Sequence, residues 1–226
     1  MILLLRGHIR NGFDDSRLFF FVHNLSSKYD LKIYIHTWNI IQSNVSWRPM
    51  PINKKIVTND LIYNYFGEVK HLIKHIIIED DAKIDIIGNK TGRLCSSICP
   101  LVGWKNMWYG KYQLINHIKS IIEDPNEIIL NTRFDMHRCP FSHLNNNILP
   151  TIQHLIDKKI TKNIFASNDE VKGIDNFYLG NFNTMYTLIE HFYKNLDDIL
   201  EKQDYKHLRN QEFLVFRENN HLFDKK

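Results

Sequence analysis

Hydrophobic residues along this chain follow two periods. Ile2–Leu5 is a short, unbroken apolar run, as expected of a strand buried on both faces. After it, Leu18, Phe21, Val22 and Leu25 recur at helical spacing and give one apolar face to a helix over Ser16–Ser27, which Asp14 or Asp15 can cap. Leu31–Ile35 is a second strand. A strand, a loop, a helix and a strand predict a parallel sheet with helices packed on it, an α/β fold. Further along, the pattern gives a short helix at Asn59–Phe66, a strand at Leu72–Ile78 and a long helix at Leu101–Ile122 that Gly110 could interrupt. A strand follows at Glu127–Arg133, then mixed loop and helix over Phe141–Lys159 with Pro150 as a helix start. Short strands are expected at Asn163–Ala166 and Phe177–Leu179, and helices at Phe182–Leu200 and Leu208–Asn219. Gln42–Lys55, with Pro49 and Pro51, reads as an irregular loop over the sheet's edge, and Asp80–Arg93 as a charged loop or crossover.

Composition narrows this picture only a little. The 226 residues fit a single domain with a sizeable core, and no repeat or low-complexity linker divides them. Net charge is +4, spread along the chain without a run of five like charges. That favours phosphate-bearing ligands and argues against nucleic acid as a partner. Cys95, Cys99 and Cys139 fit neither a disulfide framework nor a four-ligand zinc site, and read as reduced thiols. Met1–Leu5 is too short an apolar stretch for a secretory signal, and no segment has the length of a membrane span. The expectation is a cytoplasmic protein with at most peripheral membrane association.

Candidate chemistry gathers at predicted strand ends. Ile128, Ile129 and Leu130 lead into Asn131, Thr132, Arg133 and Asp135. In open α/β sheets ligands sit outside the carboxyl ends of the strands, so a guanidinium and a carboxylate there could hold a phosphate, a cation or a sugar. The plain alternative is an ion pair closing the strand. The first strand exits at Arg6-Gly7-His8-Ile9-Arg10. Gly7 permits close backbone approach, and Arg6 and Arg10 suit bidentate phosphate contacts, helped by the dipole of the next helix. The second strand exits at His36-Thr37-Trp38, where Trp38 either stacks on a ligand or caps the core and His36 is equally a structural histidine. Trp104, Trp108, Tyr109 and Tyr112 share one helical stretch, which reads as a core stripe or as a sugar-stacking platform with Gln113 and Lys111 beside it.

The order of Leu3–Arg10, Tyr29–Trp38, Ile129–Asp135, Asp175–Gly180 and Asn210–Leu214 resembles a family of small GT-A-like glycosyltransferases, found in bacterial surface-polysaccharide clusters and large DNA viruses. The resemblance runs from Ile2 to about Asn220. It implies a Rossmann-like, mixed GT-A-type sheet flanked by helices, with the donor-binding part over about 1–135 and the acceptor side over about 136–226. It implies a nucleotide-sugar donor and a glycan or lipid-linked glycan acceptor. Arg6, Gly7, Arg10, Thr37, Trp38, Arg133 and Asp135 fall in the donor site, and Trp108, Tyr109, Gln113 and Asn176 on the acceptor side. An inverting enzyme needs a carboxylate base, for which Asp175 is the first choice and Glu212 the second. The family usually carries an Asp-x-Asp element for Mn2+ or Mg2+. Here Arg133 replaces the first carboxylate, leaving Asp135, with His137 nearby, as the cation ligand. Two alternatives use the same residues: transfer of another activated group onto the same polymer, or a non-catalytic carbohydrate-binding subunit.

Overall fold

The computed structural model describes residues 1–45, 50–136, 148–157, 160–165, 176–209 and 211–224. Among these, six strands form one mixed sheet with helices on both faces. Strands β1 (Ile2–Arg6) and β2 (Lys32–Trp38) are parallel neighbours. A two-stranded antiparallel ribbon follows, β3 (Ile40–Gln42) with β4 (Asn53–Ile56), and then β5 (Ile73–Glu79). Strand β6 (Ile128–Arg133) lies on the far side of β1 and is parallel to it. Strands β7 (Ile164–Phe165) and β8 (Tyr178–Asn181) finish that edge antiparallel, in the order β5-β2-β1-β6-β8-β7.

Because β1 is flanked on both sides and covered on both faces, its side chains divide by parity. Leu3 and Leu5 enter one core with α1 (Arg17–Ser26), α2 (Asn59–Phe66) and α4 (Ile148–Ile156). Ile2 and Leu4 enter the other with α3 (Leu101–Lys119), α5 (Phe182–Glu201) and α6 (Gln211–Phe223). The unbroken apolar run at the start of the chain is therefore the signature of a central strand. Asn181 and Thr184 close a capping box at the start of α5: Thr184 N donates to Asn181 Oδ1 (2.9 Å) and Asn181 N to Thr184 Oγ1 (3.1 Å).

Three expectations change. Gln42–Lys55 is not wholly irregular, since residues at its two ends pair in the β3–β4 ribbon. Helix α3 runs through Gly110 without a break. His36-Thr37-Trp38 does not follow β2 but belongs to it, which turns alternate residues of this stretch to opposite faces. No helix among the described residues is long and apolar enough to cross a membrane.

Candidate functional site

Chain order sets the position of the cleft. From β1 the chain moves to β2 and β5 on one side, and later returns to place β6 on the other. The carboxyl ends of β1 and β6 therefore flank a switch point, the place where an open α/β sheet leaves a crevice. Arg6 ends β1, and its in-register neighbours are His36 on β2 and Arg133 on β6. By strand parity all three share the face of Ile2 and Leu4, toward α3. A cavity of about 130 Å³ opens there, lined by Arg6, Arg10 and Arg133 together with Trp38, Asn176 and Glu212. At roughly 10–15 Å³ per water this is room for about ten waters.

The loop after β1 is pinned at several points. Gly7 has φ +93°, a region that favours glycine. Its N–H donates to His36 O (3.0 Å), and its carbonyl accepts from Thr37 Oγ1 (3.0 Å). Arg10 N donates to Ile41 O (2.9 Å). Arg6 is buried. Its Nε donates to Asn131 Oδ1 (3.4 Å) and its Nη2 to Asn176 Oδ1 (3.2 Å). Arg10 Nη1 donates to Asp135 Oδ2 (2.9 Å), and Arg133 Nη2 donates to the same oxygen. Burial alone would raise the Asp135 pKa. The charges of Arg133 and Arg10 and their hydrogen bonds more than offset it and hold the carboxyl below its ordinary range.

The residues around Asp135 do not suit a divalent cation. One carboxylate oxygen already takes two guanidinium groups, so a dication there would face both. Among the described residues no three His, Cys, Asp or Glu side chains converge on a metal position. His137 lies outside the described residues, as does Asp175, the first choice for the base.

Other expected site residues divide clearly. Glu212 and Asn176 reach the cavity. Trp38 lines it while remaining largely buried, as a residue that caps the core at the cavity wall. Thr37 is fully buried and secures the Gly7 loop. Trp108 is a core residue, stacked on Phe192 with centroids 4.2 Å apart. Tyr109 donates from its hydroxyl to Glu79 Oε1 (2.9 Å) and is not on the cavity wall. Gln113 is half-buried on α3 and also outside the cavity lining. Of the expected aromatic platform, Trp108, Tyr109 and Tyr112 belong to the seam between α3 and α5, whereas Trp104, which also packs edge-on against Phe192 in that seam, lines the cavity. Lys111 is buried in the same seam, its Nζ 3.8 Å from the centroid of Trp108. The first residue of α1 is Arg17, and no residue of α1 lines the cavity, so the arginines rather than that helix's dipole supply the positive charge.

Sequence reasoning missed His8, Glu79 and Asn106. His8 lines the cavity, and its Nε2 lies 3.6 Å from Asp81 Oδ2. Burial, followed by the charges of Arg10 and Arg133, lowers its pKa to about 3, so it stays neutral beside the arginines. Glu79 is the last residue of β5, one position beyond the expected strand end. It accepts from His36 Nε2 (2.9 Å). That strand-end position was the signal that could have found it. Asn106 projects from α3 with a buried Oδ1 that has no hydrogen-bond partner among the described residues. Cys99 also lines the cavity, and neither it nor Cys95 is in a disulfide.

Comparison with known proteins gives no match to a protein-family model, a curated protein or a solved structure. The functional reading therefore rests on this site.

Proposed function

We propose that the cavity takes the diphosphate of a nucleotide-sugar donor, and that the chain is a glycosyltransferase acting on a glycan or lipid-linked glycan in the cytoplasm. One observation carries the reading: Arg6, Arg10 and Arg133 converge at the switch point of the mixed sheet, around a cavity of about 130 Å³. Sugar transfer leaves negative charge on the departing diphosphate, which fixed guanidinium groups can stabilise without reorganising. Asp135 and Asn176 hold Arg10, Arg133 and Arg6 in place before the ligand arrives. Trp38 offers an edge to the donor, and Glu212 and Asn176 offer acceptors to sugar hydroxyls.

The test is a panel of nucleotide sugars, read as release of nucleoside diphosphate with and without added Mn2+ or Mg2+. The reading requires release from at least one donor, and release that persists in EDTA. Silence across the panel sinks it.

A further inference from the structure

The α3 wall of the cavity carries a side chain that the arginine site leaves unused. Asn106 is 3% exposed, so its amide is withdrawn from bulk water. Its Oδ1 is sealed and has no hydrogen-bond partner among the described residues. Its Nδ2 makes no hydrogen bond to a described residue either and is not sealed, so this end of the amide forms its share of the cavity wall. Buried polar groups are nearly always paired, and an unpaired amide at a cavity wall is the pattern of a group whose partner is a ligand. The guanidinium groups, by contrast, are engaged before any ligand arrives: Arg6 with Asn131 and Asn176, and Arg10 and Arg133 with Asp135.

The fold also fixes where this amide stands. Gly103 and Gly110 lie three residues before Asn106 and four after it, on the same side of α3, and both line the cavity with it. A Cβ at Gly103 would stand 2.5 Å from Val45 O, and one at Gly110 2.6 Å from His36 Nδ1. The two glycines thus let the helix backbone sit against the loop after β3 and against β2, and Asn106 is carried between them on a rigid element. Arg6 and Arg133 end strands of the sheet, so Asn106 stands on the opposite wall from them.

We infer that Asn106 recognises the transferred sugar, through a hydrogen bond between its amide and one sugar hydroxyl. The inference rests on the glycosyltransferase reading and deepens it. With the diphosphate held by the arginines on the sheet side, the sugar bonded to it is the part of the donor that meets the α3 wall. The amide is uncharged, so beside three guanidinium groups it adds little to phosphate binding. An amide can give or accept a hydrogen bond and a hydroxyl can do both, so the pair forms whichever end of the amide faces inward. Trp104 and Met107, the neighbours of Asn106 on this wall, offer the hydroxyl mainly apolar surface. A donor without the hydroxyl leaves the amide unpaired, and selectivity follows from that penalty.

The experiment uses the best nucleotide-sugar donor of the panel and its monodeoxy analogues, each lacking one sugar hydroxyl. Nucleoside diphosphate release, with water as acceptor, gives kcat/KM for the native chain, Asn106→Leu and Asn106→Ala. Calorimetry gives the affinity of each for the matching nucleoside diphosphate. The native chain should lose about tenfold or more in kcat/KM on one deoxy donor. Asn106→Leu should lose a similar factor on the parent donor and match the native chain on that deoxy donor, because the two changes remove the same contact. Its affinity for the nucleoside diphosphate should stay within about twofold of native. If Asn106→Leu does not fold, Asn106→Ala decides by the same comparison. Native kcat/KM on the parent donor in a folded variant, an equal loss on every donor, or a matching loss of nucleoside diphosphate affinity overturns the inference and leaves the transferase reading standing. A native chain that releases nucleoside diphosphate from no donor overturns both.

Discussion

Trp108 and His8 show how far a residue's type can stand from its role. Trp108 reads from sequence as a core residue or a sugar platform, and the structure makes it core, sealed between α3 and α5. Trp108→Ala should cost roughly 3–5 kcal/mol in urea unfolding, as large-to-small core changes do, while the folded fraction binds nucleoside diphosphate unchanged. His8 carried no assigned role, yet it is a buried neutral base in the cavity wall. Its pKa falls from 6.5 to about 3 on folding, so the unfolded chain takes up a proton that the folded chain refuses. Stability should therefore fall as pH drops below about 6.5, and His8 alone should account for roughly 2 kcal/mol between pH 7.5 and 5. Urea midpoints at the two pH values, compared for the native chain and His8→Gln, check this. The variant should lose part of the pH dependence, and equal slopes would remove His8 from the account.

At the scale of elements, the loop joining β1 to α1 is the part of the site that sequence made most visible. In sequence Gly7 suggests close backbone approach, and the structure uses it instead for a backbone turn at positive φ, with no heavy atom within 4 Å of where a Cβ would stand. Gly7→Ala should thus cost about 1–2 kcal/mol through backbone strain alone, seen as a lower Tm, and should weaken nucleoside diphosphate binding by shifting Arg6 and Arg10. The regular elements were legible because β1 is an unbroken apolar run and α1, α2, α3 and α5 bury faces at period 3.6. The β3–β4 ribbon was not, because Asn53–Ile56 is exposed throughout and has no apolar alternation to read. The end of β2 was misplaced because His36, Thr37 and Trp38 look like loop chemistry although all three are buried.

Taken whole, the molecule is a sheet with a core on each face. The second core is closed by a buried carboxylate: Glu218 on α6 accepts from His191 on α5 (2.7 Å), from Lys202 (2.6 Å) and from Tyr205 (2.6 Å). This ties α6, and with it Glu212, to the body of the fold. Arg6, Arg10 and Arg133 were each readable as strand-end or loop arginines. Their convergence depends on β6 pairing with β1 across more than a hundred residues, which no local pattern encodes. Nor does any local pattern reveal that Asp135 is consumed in holding Arg10 and Arg133. The account stands on these arginines acting as one diphosphate site. The most direct test is calorimetric titration of UDP, GDP and dTDP into the native chain and into Arg6→Met, in EDTA at low and at high salt. The account predicts that at least one nucleoside diphosphate binds without metal, weakens as salt rises, and loses at least about tenfold in affinity in Arg6→Met, since charge-assisted contacts to phosphate are among the strongest hydrogen bonds. Binding that requires a divalent cation, or that is equal in the native chain and a folded Arg6→Met, would contradict it.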